Sequence, residues 1–189
     1  MANGYKIALS GDLGSGKSTV TKLLIEKHGF ETFCTGSYQR EMAKRMNMTT
    51  LELNRFAETH AEIDKEIDGK LTEEGRNDRD IIFDSRMAWH FVEKAFKVYL
   101  VSDVNIAAER IYNDSKKGTR GNVEKYKSIE QAKEYILNRR ASEVVRYKEK
   151  YEVDITDMSN YDLVINASHA TVAEIAEKIY KEMVVWYER

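Results

Sequence analysis

The 189-residue sequence predicts a three-layer α/β fold, a parallel sheet covered by helices on both faces. Three observations carry this expectation. Five short apolar runs recur along the chain, and each is separated from the next by a segment of helical pattern, as right-handed parallel crossovers require. Ile81, Ile82 and Phe83 form a continuous apolar run, suited to a strand buried on both faces. Gly11-Asp12-Leu13-Gly14-Ser15-Gly16-Lys17-Ser18 links the first run to the first helix and completes the GxxxxGK[ST] pattern of a phosphate-binding loop.

Residues 5–10 read as the first strand, and the helix over 17–27 ends at His28-Gly29, with glycine where a C-cap places it. Residues 30–33 read as the second strand. Helical composition over 37–46 follows, and Thr49 with Glu52 forms a capping box for a short helix over 51–58. Ile63, Ile67 and Leu71 recur every four residues in a third helix, with Asp64, Asp68 and Glu74 outside that stripe. Residues 80–84 make the third strand, which ends in a carboxylate, and 96–102 the fourth. Asp103 caps a helix over 103–113. Residues 114–127 are polar and glycine-containing, a mobile loop in this reading. Ser128 and Gln131 form a capping box that starts a long helix to about 151, with Ile129, Ala132, Ile136 and Arg140 near one face. Residues 161–166 supply the fifth strand. Thr171 and Glu174 cap a last helix striped by Ile175, Ile179 and Met183.

In such sheets ligands bind at the carboxyl ends of the strands. Backbone N–H groups of Gly11, Gly14, Ser15, Gly16, Lys17, Ser18 and Thr19 would face the donor phosphates there, Lys17 would reach the β- and γ-phosphates, and the Ser18 hydroxyl would ligate Mg²⁺. Asp84, ending a buried strand, is placed to hold the same ion. Arg86 stands two residues later, able to reach a second anionic ligand. Between 110 and 150 twelve Lys/Arg stand against six Asp/Glu, in a chain whose net charge is −2. Arg110, Arg139 and Arg146 are read as closing over the transferred phosphoryl group, while Lys125, Lys127, Lys133, Lys148 and Lys150 are read as a solvated helix face.

Composition narrows the class. Ordinary shares of hydrophobic (42%) and charged (33%) residues, with so small a net charge, give no case for a nucleic-acid or membrane binder. No apolar run approaches the roughly 18 residues of a membrane span, and the N-terminus lacks a signal-peptide pattern, so the cytoplasm is the expected location. Cys34 is the sole cysteine, which excludes an internal disulfide, and it is read as a small buried residue at a strand end. The four histidines show no metal-ligand spacing, so any metal is expected to arrive with the nucleotide.

The segments GDLGSGKS, TGSYQREMA, EIDKEID, DSRMAWHF, AAERIY, NRRASEVVRYKEKYEVDI and NYDLVINAS, in this order over nearly the whole chain, resemble the archaeal-type cytidylate kinases and their bacterial relatives among the nucleoside monophosphate kinases. The resemblance implies a P-loop NTPase fold with strand order 2-3-1-4-5, an acceptor-binding helical insert at 36–79 and a lid at 114–127, all in one domain spanning 1–189. It places Arg40 on the acceptor phosphate, Thr35 and Gly36 in the acceptor pocket, Arg86 on the acceptor nucleotide, and Arg110, Arg139 and Arg146 around the transferred group. Asp64 matches an acidic position that approaches the pyrimidine ring. Three departures stand out: Ser85 where many relatives have glycine, Asp114 near a second lid arginine (for which Lys116, Lys117 or Arg120 must substitute), and Asp12-Leu13 where proline is frequent.

The expected function is phosphoryl transfer from ATP with Mg²⁺ to CMP or dCMP, the nucleophile being the acceptor's own phosphate oxygen. Alternatives are a P-loop kinase acting on another small molecule, and a nucleotide-dependent regulatory protein without turnover. Partners are expected to be small-molecule nucleotides alone, with no nucleic acid or membrane, and the chain a monomer or weak homo-oligomer.

Overall fold

The computed structural model describes residues 3–57, 59–117 and 126–189. Residues 118–125, and with them most of the expected mobile loop including Gly118, Arg120 and Gly121, lie outside the described residues, as does Glu58.

Five strands, β1 (Lys6–Gly11), β2 (Glu31–Cys34), β3 (Ile81–Asp84), β4 (Phe96–Val101) and β5 (Leu163–Asn166), form one sheet in the order β2-β3-β1-β4-β5. Every pairing is parallel. Side chains on successive strand residues point to opposite faces. Ile7, Leu9, Ile82, Phe96, Val98 and Leu100 accordingly enter one core, closed by α1 (Lys17–His28) and α8 (Val172–Tyr187). Ala8, Ile81, Phe83 and Tyr99 enter the other, with Leu71 of α4 (Ala61–Gly75), Trp89 of the short helix α5 (Ala88–Phe91), Ile155 and Tyr161. The central strands are lined on both sides, hence their unbroken apolar runs.

Two smaller cores support the remaining helices. Met42, Ala43, Leu53, Ile63 and Ile67 join α2 (Thr35–Arg45), α3 (Thr50–Ala57) and α4 into the helical insert. Ala107, Ala108, Ile111, Ala132 and Ile136 seat α6 (Val104–Lys116) on the long helix α7 (Ile129–Tyr151).

Capping follows the sequence signals with one shift. Asp103 accepts from the amides of Asn105 and Ile106, and Thr171 and Glu174 form a full capping box. At α7, Ser128 accepts from Gln131 N–H, but the Gln131 side chain reaches the amide of Lys127, one residue before the cap. Helix α2 begins at Thr35, directly after β2, two residues before its expected start. Trp89 is a core residue, His90 is exposed and Phe91 is half-buried. Among the described residues no helix is long and apolar enough to cross a membrane.

Candidate active site

The sheet register brings the candidate residues to one edge. Leu9 pairs with Asp84 and Asp84 with Cys34, so the phosphate loop, the β3 terminus and the Cys34-Thr35 junction leave the sheet side by side. Residue 14 must be glycine: its φ is +76°, and a Cβ there would stand 2.8 Å from the Ala107 carbonyl of α6. Gly16, also left-handed at φ 87°, caps α1 without a side-chain bond. Among the described residues the amides of Gly14, Gly16, Lys17 and Ser18 have no acceptor, and the buried Ser15 hydroxyl has no hydrogen-bond partner. That concentration of outward donors at a helix N-terminus is what a phosphate anion fits.

Lys17 Nζ donates to the carbonyls of Gly11 (2.8 Å) and Asp12 (3.1 Å). Burial and, secondarily, the neighbouring Arg86 charge lower its pKa to about 7, against the opposing pull of Asp84, Asp12 and Glu143. Arg86 Nη1 donates to the same Gly11 carbonyl, and its Nε lies 3.0 Å from Glu143 Oε2 on α7. Arg139 Nε meets the other oxygen of that carboxylate at 3.1 Å, and Tyr135 takes its Nη1. Burial works against the Arg139 charge, but Glu143 and Tyr135 more than offset it. Asp84 is half-buried, and its carboxylate has no hydrogen bond or ion pair among the described residues.

Asp12 is used structurally. Its carboxylate accepts from Tyr99 O–H at 2.7 Å and Ser102 N–H at 2.9 Å, while its own amide donates to Leu100. The phosphate loop is thereby pinned to β4, the task that a rigid proline would serve by another route. Burial and the Asp12 carboxylate together push the Tyr99 hydroxyl well above its ordinary pKa. Asp12, Leu13, Arg86, Arg140 and Glu143 border a cavity of about 160 Å³ between the loop and α7.

The remaining candidates separate into three places. Beyond β2, Thr35 and Gly36, expected in the acceptor pocket, open α2, and the exposed Arg40 donates to Ser37. On the far side of the phosphate loop, Arg110 donates to the carbonyls of Gly14, Ala167 and Ser168, so its contacts brace the backbone where the expectation had a transferred phosphoryl group. Between α4 and α7, Asp64 pairs with Lys150 and, at 3.4 Å, with Arg146. The carboxylate expected at a pyrimidine and the arginine expected at the phosphoryl group are here engaged with each other, because helix packing encloses Asp64 at 8% exposure. Lys150, read as solvated, shares that contact.

A family model described as the cytidylate kinase-like family matches residues 6–169. The chain belongs to the cytidylate kinase-like family. Among its relatives, the cytidylate kinase of Methanococcus maripaludis (strain C5) is 36% identical over 86% of this chain and 88% of its own. That of Methanocella arvoryzae is 35% identical over 93% and 94%, and that of Natronomonas pharaonis 37% over 86% and 80%. Solved structures share the fold at low identity. An uncharacterized protein from Eubacterium ventriosum superposes with TM-score 0.68 at 16% identity, covering 95% of this chain and 98% of that one. Shikimate kinase from Bacteroides thetaiotaomicron gives 0.62 at 16%, with the same coverages.

Within this cytidylate kinase-like chain, Ser85 is accommodated by local bonds: its carbonyl accepts from Ser10 Oγ, and its hydroxyl accepts from Met87 N–H. Glu143 and Tyr99 are site neighbours that sequence reasoning passed over, and Lys150 is one that it read as solvated. A signal for Glu143 was present, since it stands four residues after Arg139 and three before Arg146 on one helix.

Proposed function

We propose that the protein transfers the terminal phosphoryl group of ATP to the phosphate of CMP or dCMP. The observation that carries this reading is the Gly11 carbonyl, which accepts from both Lys17 and Arg86. A donor-type lysine and a strand-end arginine therefore stand within one oxygen of each other, as two phosphates that exchange a group must. Family membership over residues 6–169 supports cytidylate as the acceptor.

In this reading the unpaired amides of Gly14, Gly16, Lys17 and Ser18, the Ser15 hydroxyl and the exposed Thr19 hold the donor phosphates. Lys17 would exchange its two carbonyls for phosphate oxygens. Ser18 and Asp84 would hold Mg²⁺, directly or through water, and the ion would offset charge on the phosphate oxygens. Among the described residues no group of three or more His, Cys, Asp or Glu side chains is arranged to hold a metal ion, and phosphate and water would supply the ion's other ligands. Arg86 and Arg40, with Thr35 and Gly36, orient the acceptor, whose phosphate oxygen is the nucleophile. No protein base is needed, and the residues act by alignment and charge neutralisation. Arg139, Arg146 and Arg110 serve that neutralisation once the Asp64 contact and the carbonyl contacts are exchanged.

The test is ADP release coupled to a panel of CMP, dCMP, UMP, AMP, GMP and non-nucleotide acceptors including shikimate. CMP or dCMP should give the highest kcat/KM, and turnover of a non-nucleotide with none of CMP would sink the reading. Lys17→Met should lower kcat by about a hundred- to a thousandfold with the fold intact by circular dichroism.

A further inference from the structure

Two guanidinium groups from distant parts of the chain share one carboxylate. Arg86 lies just past β3 and Arg139 lies one turn before Glu143 on α7, yet each sets its Nε within 3.1 Å of a Glu143 oxygen. Within this junction the Arg86 and Glu143 side chains are enclosed, at 16% and 14% exposure, while Arg139 stands open to solvent at 43%. Enclosure strengthens such a contact and fixes its geometry, whereas an exposed ion pair contributes little. Arg86 has a second anchor in the Gly11 carbonyl. Its plane is thus set from two directions, and its Nη2 has no partner among the described residues. Held at Nε and Nη1, the guanidinium keeps Nη2 for an oxygen of a phosphate.

The charges make the same point. Lys17, Arg86 and Arg139 gather beside the phosphate loop, and like charges at this range repel. Glu143 is the carboxylate that touches two of them and also acts electrostatically on Lys17. A bound polyphosphate would bring a like charge toward it, so it disfavours ground-state binding while fixing the cations that the reaction uses.

We propose that Glu143 is a positioning residue for phosphoryl transfer, its single carboxylate holding Arg86 and Arg139 side by side so that both meet the nucleotide oxygens already oriented. The proposal rests on the phosphoryl-transfer reading of this site.

Glu143→Gln keeps the shape and removes the charge. Its kcat should fall about ten- to a hundredfold, the cost of a misplaced catalytic group. ATP affinity by calorimetry should be unchanged or tighter, because a negative charge beside the triphosphate is gone. A purely structural role gives the opposite pattern, with weaker binding, a lower Tm and unchanged kcat per folded molecule. Glu143→Asp should recover part of kcat, and Arg139→Ala should cost less in the Glu143→Gln background than in the wild type. A readout independent of any acceptor is the Nε–H resonance of Arg139, slowed in exchange by its hydrogen bond to Glu143 and lost in Glu143→Ala. Persistence of that resonance in Glu143→Ala, a kcat of Glu143→Gln within about twofold of wild type, or ATP binding that weakens in parallel with kcat would overturn the proposal. If the wild type turns over no acceptor while the Arg139 resonance behaves as stated, the functional reading fails and the contact of Glu143 with Arg139 stands.

Discussion

Lys17 carries the clearest residue-level consequence. Its pKa is lowered to about 7 by burial and by Arg86, so near neutrality only part of the population carries the ammonium that binds phosphate. Asp84, Asp12 and Glu143 face it as opposing charges. The unliganded protein loses the proton as pH rises past about 7, and bound triphosphate favours the charged form and restores it. ATP binding at pH 8 should therefore take up a proton, which calorimetry in buffers of different ionisation enthalpy measures directly; zero uptake would contradict the assignment. Stability has its own sign. The unfolded lysine keeps its proton to about 10.4, so between there and about 7 the unfolded chain binds more protons, and this residue makes stability rise with pH. The phosphate loop itself was legible in the sequence because its motif is contiguous. The contacts of Glu143 with Arg86 and of Asp64 with Lys150 were not, because each joins residues far apart in the chain and leaves no local pattern.

At the scale of elements, the informative contact is between α4 and α7. Asp64 meets Lys150 and Arg146, and one turn along Asp68 accepts from Tyr151 O–H at 2.8 Å. Asp64 is enclosed and Lys150 half-buried, while Arg146 is 50% exposed, so Asp64→Asn removes the charge that the half-buried Lys150 ammonium meets. A loss of about 1–3 kcal/mol in unfolding free energy is expected, measured by denaturant titration. Strands were legible because apolar runs report burial directly, and β3 and β4 fall within a residue of their expected bounds. Helix starts were less so. Helix α2 begins two residues early because β2 feeds straight into it, and α5 escaped notice because four residues hold too little pattern to show a period. Long-range joins such as Arg110 to the Ala167 and Ser168 carbonyls have no local signature at all.

For the whole molecule, a doubly covered sheet supplies a rigid base, and the candidate residues stand on its carboxyl edge and on the helices above it. Ligands that bind only this assembled arrangement stabilise it by mass action, so ATP with Mg²⁺ at a hundred times its Kd should add about 2.7 kcal/mol, read as a rise in Tm. With Lys17→Met the rise should shrink severalfold. The strand order was open to inference from family resemblance, whereas composition and periodicity alone would have left several parallel orders standing. One feature of the edge also bears on how such a protein can vary. The oxygen where Lys17 and Arg86 meet belongs to the main chain at Gly11, and a Cβ at that residue would lie 2.6 Å from the Leu100 carbonyl. No codon change deletes that oxygen, and none readily replaces its residue. Heritable variation can reach this junction only through the side chains that converge on it, which leaves the meeting point of the two cations as the part of the site least open to drift.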